Sequence, residues 1–257
     1  LNIKLDSSEQ SKLILESMTE MVTAMIKSST STIATSTQIT LSGFNSNTKY
    51  YKYEDNYHNL TEFITDENGN YSYVQDLSQQ HLVFIQPRKS TKFIKDDATG
   101  GDCYLIGNWD LTTKTCTLTK DLSETIQIDD NNIILDGYGH TLTGTGYSIY
   151  LYQKSNVVIK NFNVKNFFNG IRLTYYSKNN SLINNNLNSN QYGIFNDWHY
   201  DNNNIINNNI NFNKGTGIYI YYSVGNTIEN NIINSNQWGV TLITSNGNIL
   251  KKNIILN

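Results

Sequence analysis

A chain of 257 residues with 38% hydrophobic content, 19 Lys+Arg against 22 Asp+Glu and a pI near 5.8 has room for two compact units and too much apolar surface to stay disordered. Arg88 and Arg172 are its two arginines, so no basic face for nucleic acid is expected. No apolar run reaches the length of a membrane span, and no charged-then-apolar leader opens the chain.

Residues 1–31 read as a short extended piece followed by an amphipathic helix. Asp6-Ser7-Ser8-Glu9 supplies a helix N-cap with an acidic residue three places on. Ile14, Met18, Met21 and Met25 then share one helical face, and these are all the methionines of the protein. Their flexible side chains suit packing on a neighbouring element or docking on another subunit.

From residue 32 to 87 the apolar period changes to two. Gln38–Leu41, Tyr50–Tyr53, Glu62–Thr65, Tyr71–Val74 and Leu82–Ile85 are strand candidates parted by Asn, Gly and Asp turns, as in a small antiparallel β-sandwich. The run from Leu41 through Gly43, Asn45 and Asn47 to Tyr50-Tyr51 resembles the corner of fibronectin type III-like modules, where a Tyr packs after an Asn turn. That resemblance implies a spacer or adhesive domain. Asn59-Leu60-Thr61, Asn70-Tyr71-Ser72 and, further on, Asn179-Asn180-Ser181 have the form of glycosylation acceptors.

Residues 88–116 form a junction that holds both cysteines. Gly107-Asn108 marks a chain reversal between Cys103 and Cys116, so the two thiols can meet. Closing a loop of this size stabilises by roughly 3 kcal/mol in the loop-entropy model. A metal reading needs further ligands, and no histidine lies nearby. A disulfide is expected, and with it an oxidising, extracytoplasmic location.

Residues 117–257 repeat. Gly170-Ile171-Arg172-Leu173, Gly193-Ile194-Phe195-Asn196, Gly217-Ile218-Tyr219-Ile220 and Gly239-Val240-Thr241-Leu242 place their glycines 23, 24 and 22 residues apart, and Ser148-Ile149-Tyr150-Leu151 sits one period earlier. A fixed period of this size means stacked coils. Short β-branched runs between Asn and Gly corners, without helical spacing, make the coil a right-handed parallel β-helix. Nine residues before each Gly stand Asn161, Asn184, Asn208 and Asn230, which are expected to form a buried amide ladder.

The string Leu135-Asp136-Gly137-Tyr138-Gly139-His140-Thr141-Leu142-Thr143-Gly144, followed by Asn-x-Ile-x-Asn-Asn and Gly-Ile-x-Leu coils, resembles the NosD-type β-helix proteins of the broad carbohydrate-binding and sugar-hydrolase superfamily. The resemblance covers about residues 100–257. It implies the fold, and a range of roles from surface proteins through polysaccharide-modifying enzymes to accessory proteins for copper sites. Copper enters on that resemblance alone, and calcium only through the lyases of this architecture.

Chemistry is sparse on the coils. Asp197-Trp198-His199-Tyr200-Asp201 is the compact set with an imidazole between carboxylates, so Asp197, His199 and Asp201 are the catalytic candidates. They lack the further ligands or grouped acids that lyases and hydrolases use. Strand alternation sends Tyr150, Arg172, Phe195 and Tyr219 outward, with Tyr221 in the next column and Tyr175, Trp198 and Tyr222 beyond. This reads as a face for assembly or for a glycan.

The expectation from sequence is therefore a mainly β, secreted or cell-surface structural protein with no cofactor. Its last coil, Ile249 to Asn257, shows no polar cap, which points either to head-to-tail self-association into a filament or surface layer or to a longer chain from which this one is cut. The alternatives are a polysaccharide lyase or hydrolase and a glycan-binding adhesin.

Overall fold

The computed structural model describes residues 4–7, 11–17, 21–28, 35–87 and 91–256, which divide between two compact units, Leu1–Lys89 and Ser90–Asn257. The first unit holds two antiparallel sheets. Lys4–Ser7, Ser36–Ser42 and Tyr71–Asp76 make one of three strands. Ser11–Ser17, Val22–Ser28, His81–Gln86, Lys49–Glu54 and Asn56–Ile64 make the other, paired in that order. Both sheets contribute to one core, with Val22, Ala24, Ile26, Val83 and Ile85 against Ile39, Leu41 and Tyr73.

The amino-terminal helix expected from sequence is not formed. Ser11–Ser17 and Val22–Ser28 are a strand pair in which Ile14 faces Met25 and Leu15 faces Ala24. The apolar run fits both periods, and a distant partner decides between them. Val22, Ala24 and Ile26 enter the core at spacing two because Val22–Ile26 pairs with His81–Ile85. Lys4–Ser7, read as the approach to a cap, instead pairs with Ile39–Ser42. Met18, Ser8 and Glu9 lie outside the described residues.

The second unit is a right-handed parallel β-solenoid of three sheets. The first runs through Thr91–Ile94, Thr125–Ile128, Tyr147–Tyr152, Asn169–Thr174, Tyr192–Tyr200, Thr216–Val224 and Trp238–Ile243. A second sheet stacks short strands from Thr115–Leu118 to Ile249–Lys251, and a third stacks those from Thr141–Thr143 to Ile254–Leu256. Each three-residue strand sends its middle residue inward: Leu135, Ile159, Leu182, Ile205 and Ile228 in one column, Leu142, Val164, Leu187, Ile210 and Ile233 in the other. The repeat exists because β-branched and leucine side chains meet identical neighbours one coil away, about 4.8 Å along the axis.

The first coil is closed by a single helical turn, Cys103–Ile106, whose Cys103 and Ile106 are buried in the same core. Cys103 is bonded to Cys116 with Cα atoms 5.8 Å apart, as its spacing suggested.

Asparagines join the coils at three corners. In one column the Asn208 backbone N–H donates to Asn231 Oδ1 (2.8 Å), while Asn208 Oδ1 accepts from the Asn185 N–H (2.9 Å) and Asn208 Nδ2 donates to Leu182 O (2.9 Å). Asn180, Asn203 and Asn226 repeat this pattern, as do Asn190, Asn213 and Asn236. Of the four asparagines singled out by counting back from glycine, Asn208 belongs to such a column. Asn161, Asn184 and Asn230 stand one place earlier, at left-handed corners with φ of 59°, 56° and 56°. Their side chains are not the buried ones, and Asn184 and Asn230 are exposed.

Candidate functional site

The outward side of the first sheet carries the charged and aromatic residues. Arg172 and Asp197 lie on adjacent strands, in register with Tyr150 and Tyr221 respectively. Arg172 Nη2 donates to Asp197 Oδ2 at 2.6 Å and Nη1 to the Tyr147 hydroxyl at 2.9 Å. The guanidinium lies over two rings, 5.0 Å from Tyr147 and 4.7 Å from Phe195. Tyr147 in turn stacks on Tyr150, which is fully buried. The pair itself is closed off, with Arg172 2% and Asp197 1% exposed. Burial pushes the Asp197 carboxyl upward, and the neighbouring guanidinium works against that shift. A sealed ion pair cannot reach a substrate.

Asp201 is buried as well and belongs to a different set. Asn196 replaces the apolar residue of its core column, in register with Leu173 and Ile220. Its Nδ2 donates to Ser223 Oγ and Asn226 Oδ1, both at 3.1 Å, and Ser223 Oγ donates to Asp201 Oδ2. Burial raises the Asp201 carboxyl to about 8, against the Ser223 hydrogen bond. His199 lies in the strand between them, and its side chain is outside the described residues. Asp197 and Asp201, the catalytic candidates of the sequence, are thus each committed to inaccessible partners.

Asp201 makes stability depend on pH. An ordinary aspartate in the unfolded chain releases its proton near pH 3.9, whereas the folded one holds it to about 8. The folded state therefore binds more protons across that window, and stability falls as pH rises from about 4 to about 8, then levels. Asp201→Asn should remove this fall. Urea midpoints at several pH values are expected to show the variant gaining on the parent up to about pH 8.

Toward the far edge of the same sheet the chain passes through a left-handed residue on five successive coils: Gln153, Tyr175, Trp198, Tyr222 and Thr244, with φ of 55°, 48°, 69°, 49° and 48°. Asn or Gly fits such a corner most cheaply, and Asn occupies the next one at Asn179 and Asn202. Here the three central coils carry aromatic rings. Trp198 and Tyr222 stack at 5.1 Å with planes 1° apart, and Tyr221 stands edge-on to both. Tyr176, beside Tyr175, is 54% exposed and Tyr222 37%. Phe195 and Tyr219 stack one column inward.

A second constellation lies in the first unit and has no motif in the sequence. Asp55 follows directly after Glu54, and His81 comes from a strand paired beside them. His81 Nδ1 is 2.9 Å from Asp55 Oδ2 and 3.1 Å from Glu54 Oε1, and Nε2 is 3.4 Å from Asp76 Oδ2. The hydrogen bond to Asp55, with Glu54 and Asp76 beyond, raises the His81 imidazole above its ordinary value despite burial. Lys52 Nζ holds the other Glu54 oxygen at 3.3 Å. Among the described residues this is where three groups able to ligate a metal ion gather. Only strand pairing brings it together.

The expected glycosylation acceptors are dispersed: Asn59 and Asn179 are exposed, and Asn70 donates to Asp66 Oδ2 through its side chain. His140 Nδ1 is hydrogen-bonded to Asp121 Oδ1 at the Gly-His-Thr turn.

Comparison with known proteins adds one finding to this geometry. Residues 86–257 match the family described as periplasmic copper-binding protein (NosD). The chain belongs to the NosD family. Neither curated proteins nor solved structures give a significant match. The NosD segment coincides with the solenoid, and the Glu54, Asp55 and His81 group lies outside it. The family description names copper, so the donors in the segment are decisive. Cys103 and Cys116 are bonded to each other, all methionines precede residue 86, and its histidines are His140 and His199. Cu(I) seeks thiolate or thioether and Cu(II) a set of imidazoles. Among its described residues the NosD segment assembles neither. No helix among them is long and apolar enough to cross a membrane.

Proposed function

We propose that this NosD-family chain is an extracytoplasmic scaffold that holds a polysaccharide along its aromatic corner without cleaving it. The periplasmic description of the family and the Cys103–Cys116 disulfide support the location. The observation that carries the binding reading is the aromatic residue at a left-handed corner on three consecutive coils, Tyr175, Trp198 and Tyr222. Holding a bulky side chain there costs about 1–2 kcal/mol per residue, while a stacked pair returns about 0.5–1.5 kcal/mol. The ring contacts among Tyr152, Tyr175, Trp198, Tyr221 and Tyr222 offset that cost without a surplus, and asparagine, which fills the next corner, would fill this one more cheaply, which favours a role outside the fold. Rings repeating once per coil offer apolar edges and faces to the C–H surfaces of successive sugars. The closure of Asp197 and Asp201 argues against hydrolysis or elimination.

Asparagine tolerates left-handed backbone, so it separates the two roles. The combined variant Tyr175→Asn, Trp198→Asn, Tyr222→Asn should melt no lower than the parent and lose its retardation in gels containing polysaccharide. Three outcomes overturn the proposal: a parent that no neutral or acidic polysaccharide retards, a variant that binds as the parent does, and release of new sugar ends. Sedimentation supplies a fourth, in which the parent self-associates through these rings and binds no glycan.

A further inference from the structure

We propose that Glu54, Asp55 and His81, joined by the side-chain amide of Gln75, form a site for one zinc ion in the first unit, apart from the NosD segment. In an ordinary strand Glu54 and Asp55 would face opposite ways. The register shift at Tyr53/Glu54 and the left-handed Asp55, φ 64°, turn both carboxylates toward His81. Three ligand atoms result, one from each residue, all within 4.8 Å of one another. Tetrahedral zinc with bonds of about 2.0–2.1 Å spaces its ligands by about 3.3 Å. The separations of 2.9 and 3.1 Å from His81 Nδ1 are close to that edge.

The surroundings suit an ion held by His81. Bound through Nδ1, the imidazole keeps its Nε2–H directed at Asp76 Oδ2, 3.4 Å away, which is the carboxylate–imidazole–zinc relay that orients such ligands. Charge agrees. Glu54, Asp55 and Asp76 carry three negative charges against the one positive charge of Lys52, a sum of −2. A divalent ion brings the sum to zero.

Gln75 supplies an independent observation. It is 1% exposed, its Oε1 has no hydrogen-bond partner, and its Nε2 donates to Asp76 O at 3.2 Å and, at a long 3.4 Å, to Glu54 Oε1. Turned over, the amide would give up the Asp76 carbonyl and set Oε1 toward the Glu54 oxygen, two acceptors that a cation between them reconciles. One imidazole with carboxylate and amide oxygens suits zinc better than calcium, which takes six to eight oxygens.

Calorimetry on the full chain, stripped with EDTA and titrated with zinc chloride, is expected to show one ion per chain and a raised melting temperature. Glu54→Gln keeps the shape and should weaken binding by more than about tenfold, since even outer-sphere changes cost that much. His81→Gln should abolish it. X-ray absorption of the zinc-loaded parent should show a single imidazole among oxygen ligands, and this reading stands if His81→Gln fails to fold. Absence of saturable binding, binding that Glu54→Gln leaves unchanged, or a spectrum without imidazole overturns the site.

Discussion

Arg172→Ala is expected to destabilise the solenoid by about 3–5 kcal/mol, among the largest effects of any single substitution in it. The cost does not measure the strength of the Arg172–Asp197 bond. It arises because Asp197 stays buried with its cation gone, and because Tyr147 and Phe195 lose the guanidinium between them. Asp197 then keeps a proton to higher pH, so the folded state binds more protons than the unfolded one. The loss should therefore be smaller at pH 5 than at pH 8. Replacing both partners, Arg172→Met with Asp197→Leu, removes the uncompensated charge and should recover most of the stability. Urea denaturation of the two single variants and the double variant completes the cycle. A double variant as unstable as Arg172→Ala would show that the pair is required for packing rather than tolerated by it.

The second large effect is expected at Asn208. Asn208→Ala leaves the Asn185 N–H without a partner inside the solenoid, at about 1–3 kcal/mol, and removes the Nδ2 bonds to Leu182 O and Asn231 Oδ1, at about 0.5–1.5 kcal/mol each. Its neighbour is the control. Asn207 sits at φ 58° and is exposed, so Asn207→Ala should cost only about 1–2 kcal/mol of left-handed strain. Asn207→Gly should cost less still. Adjacent asparagines are thus expected to differ severalfold in the shift of the urea midpoint. Equal effects would mean that the bonds between coils contribute no more than the corner does.

Counting nine residues back from glycine finds Asn208 because 24 residues separate Gly193 from Gly217. In the shorter coils the same count lands on Asn161, Asn184 and Asn230, at the left-handed corner. The doublets Asn184-Asn185, Asn207-Asn208 and Asn230-Asn231 were visible, and which member turns inward depends on where each coil holds its extra residue. The outward columns were readable from strand alternation, as Arg172, Phe195 and Tyr219 show, whereas the burial of Arg172 and Asp197 was not.

By itself the sequence determined the repeat, the solenoid, its inward apolar columns and the Cys103–Cys116 bond, because each depends on a pattern renewed every 22 to 24 residues or on two thiols across one reversal. Tertiary structure decided the rest. Val22–Ile26 is a strand because His81–Ile85 lies beside it, and a local run of Met, Val and Ile holds no record of that partner. Glu54, Asp55 and His81 meet for the same reason: Asp55 and His81 stand 26 residues apart and carry no repeating signal. Periodic stacking writes itself into a sequence, while a contact made once between distant strands does not.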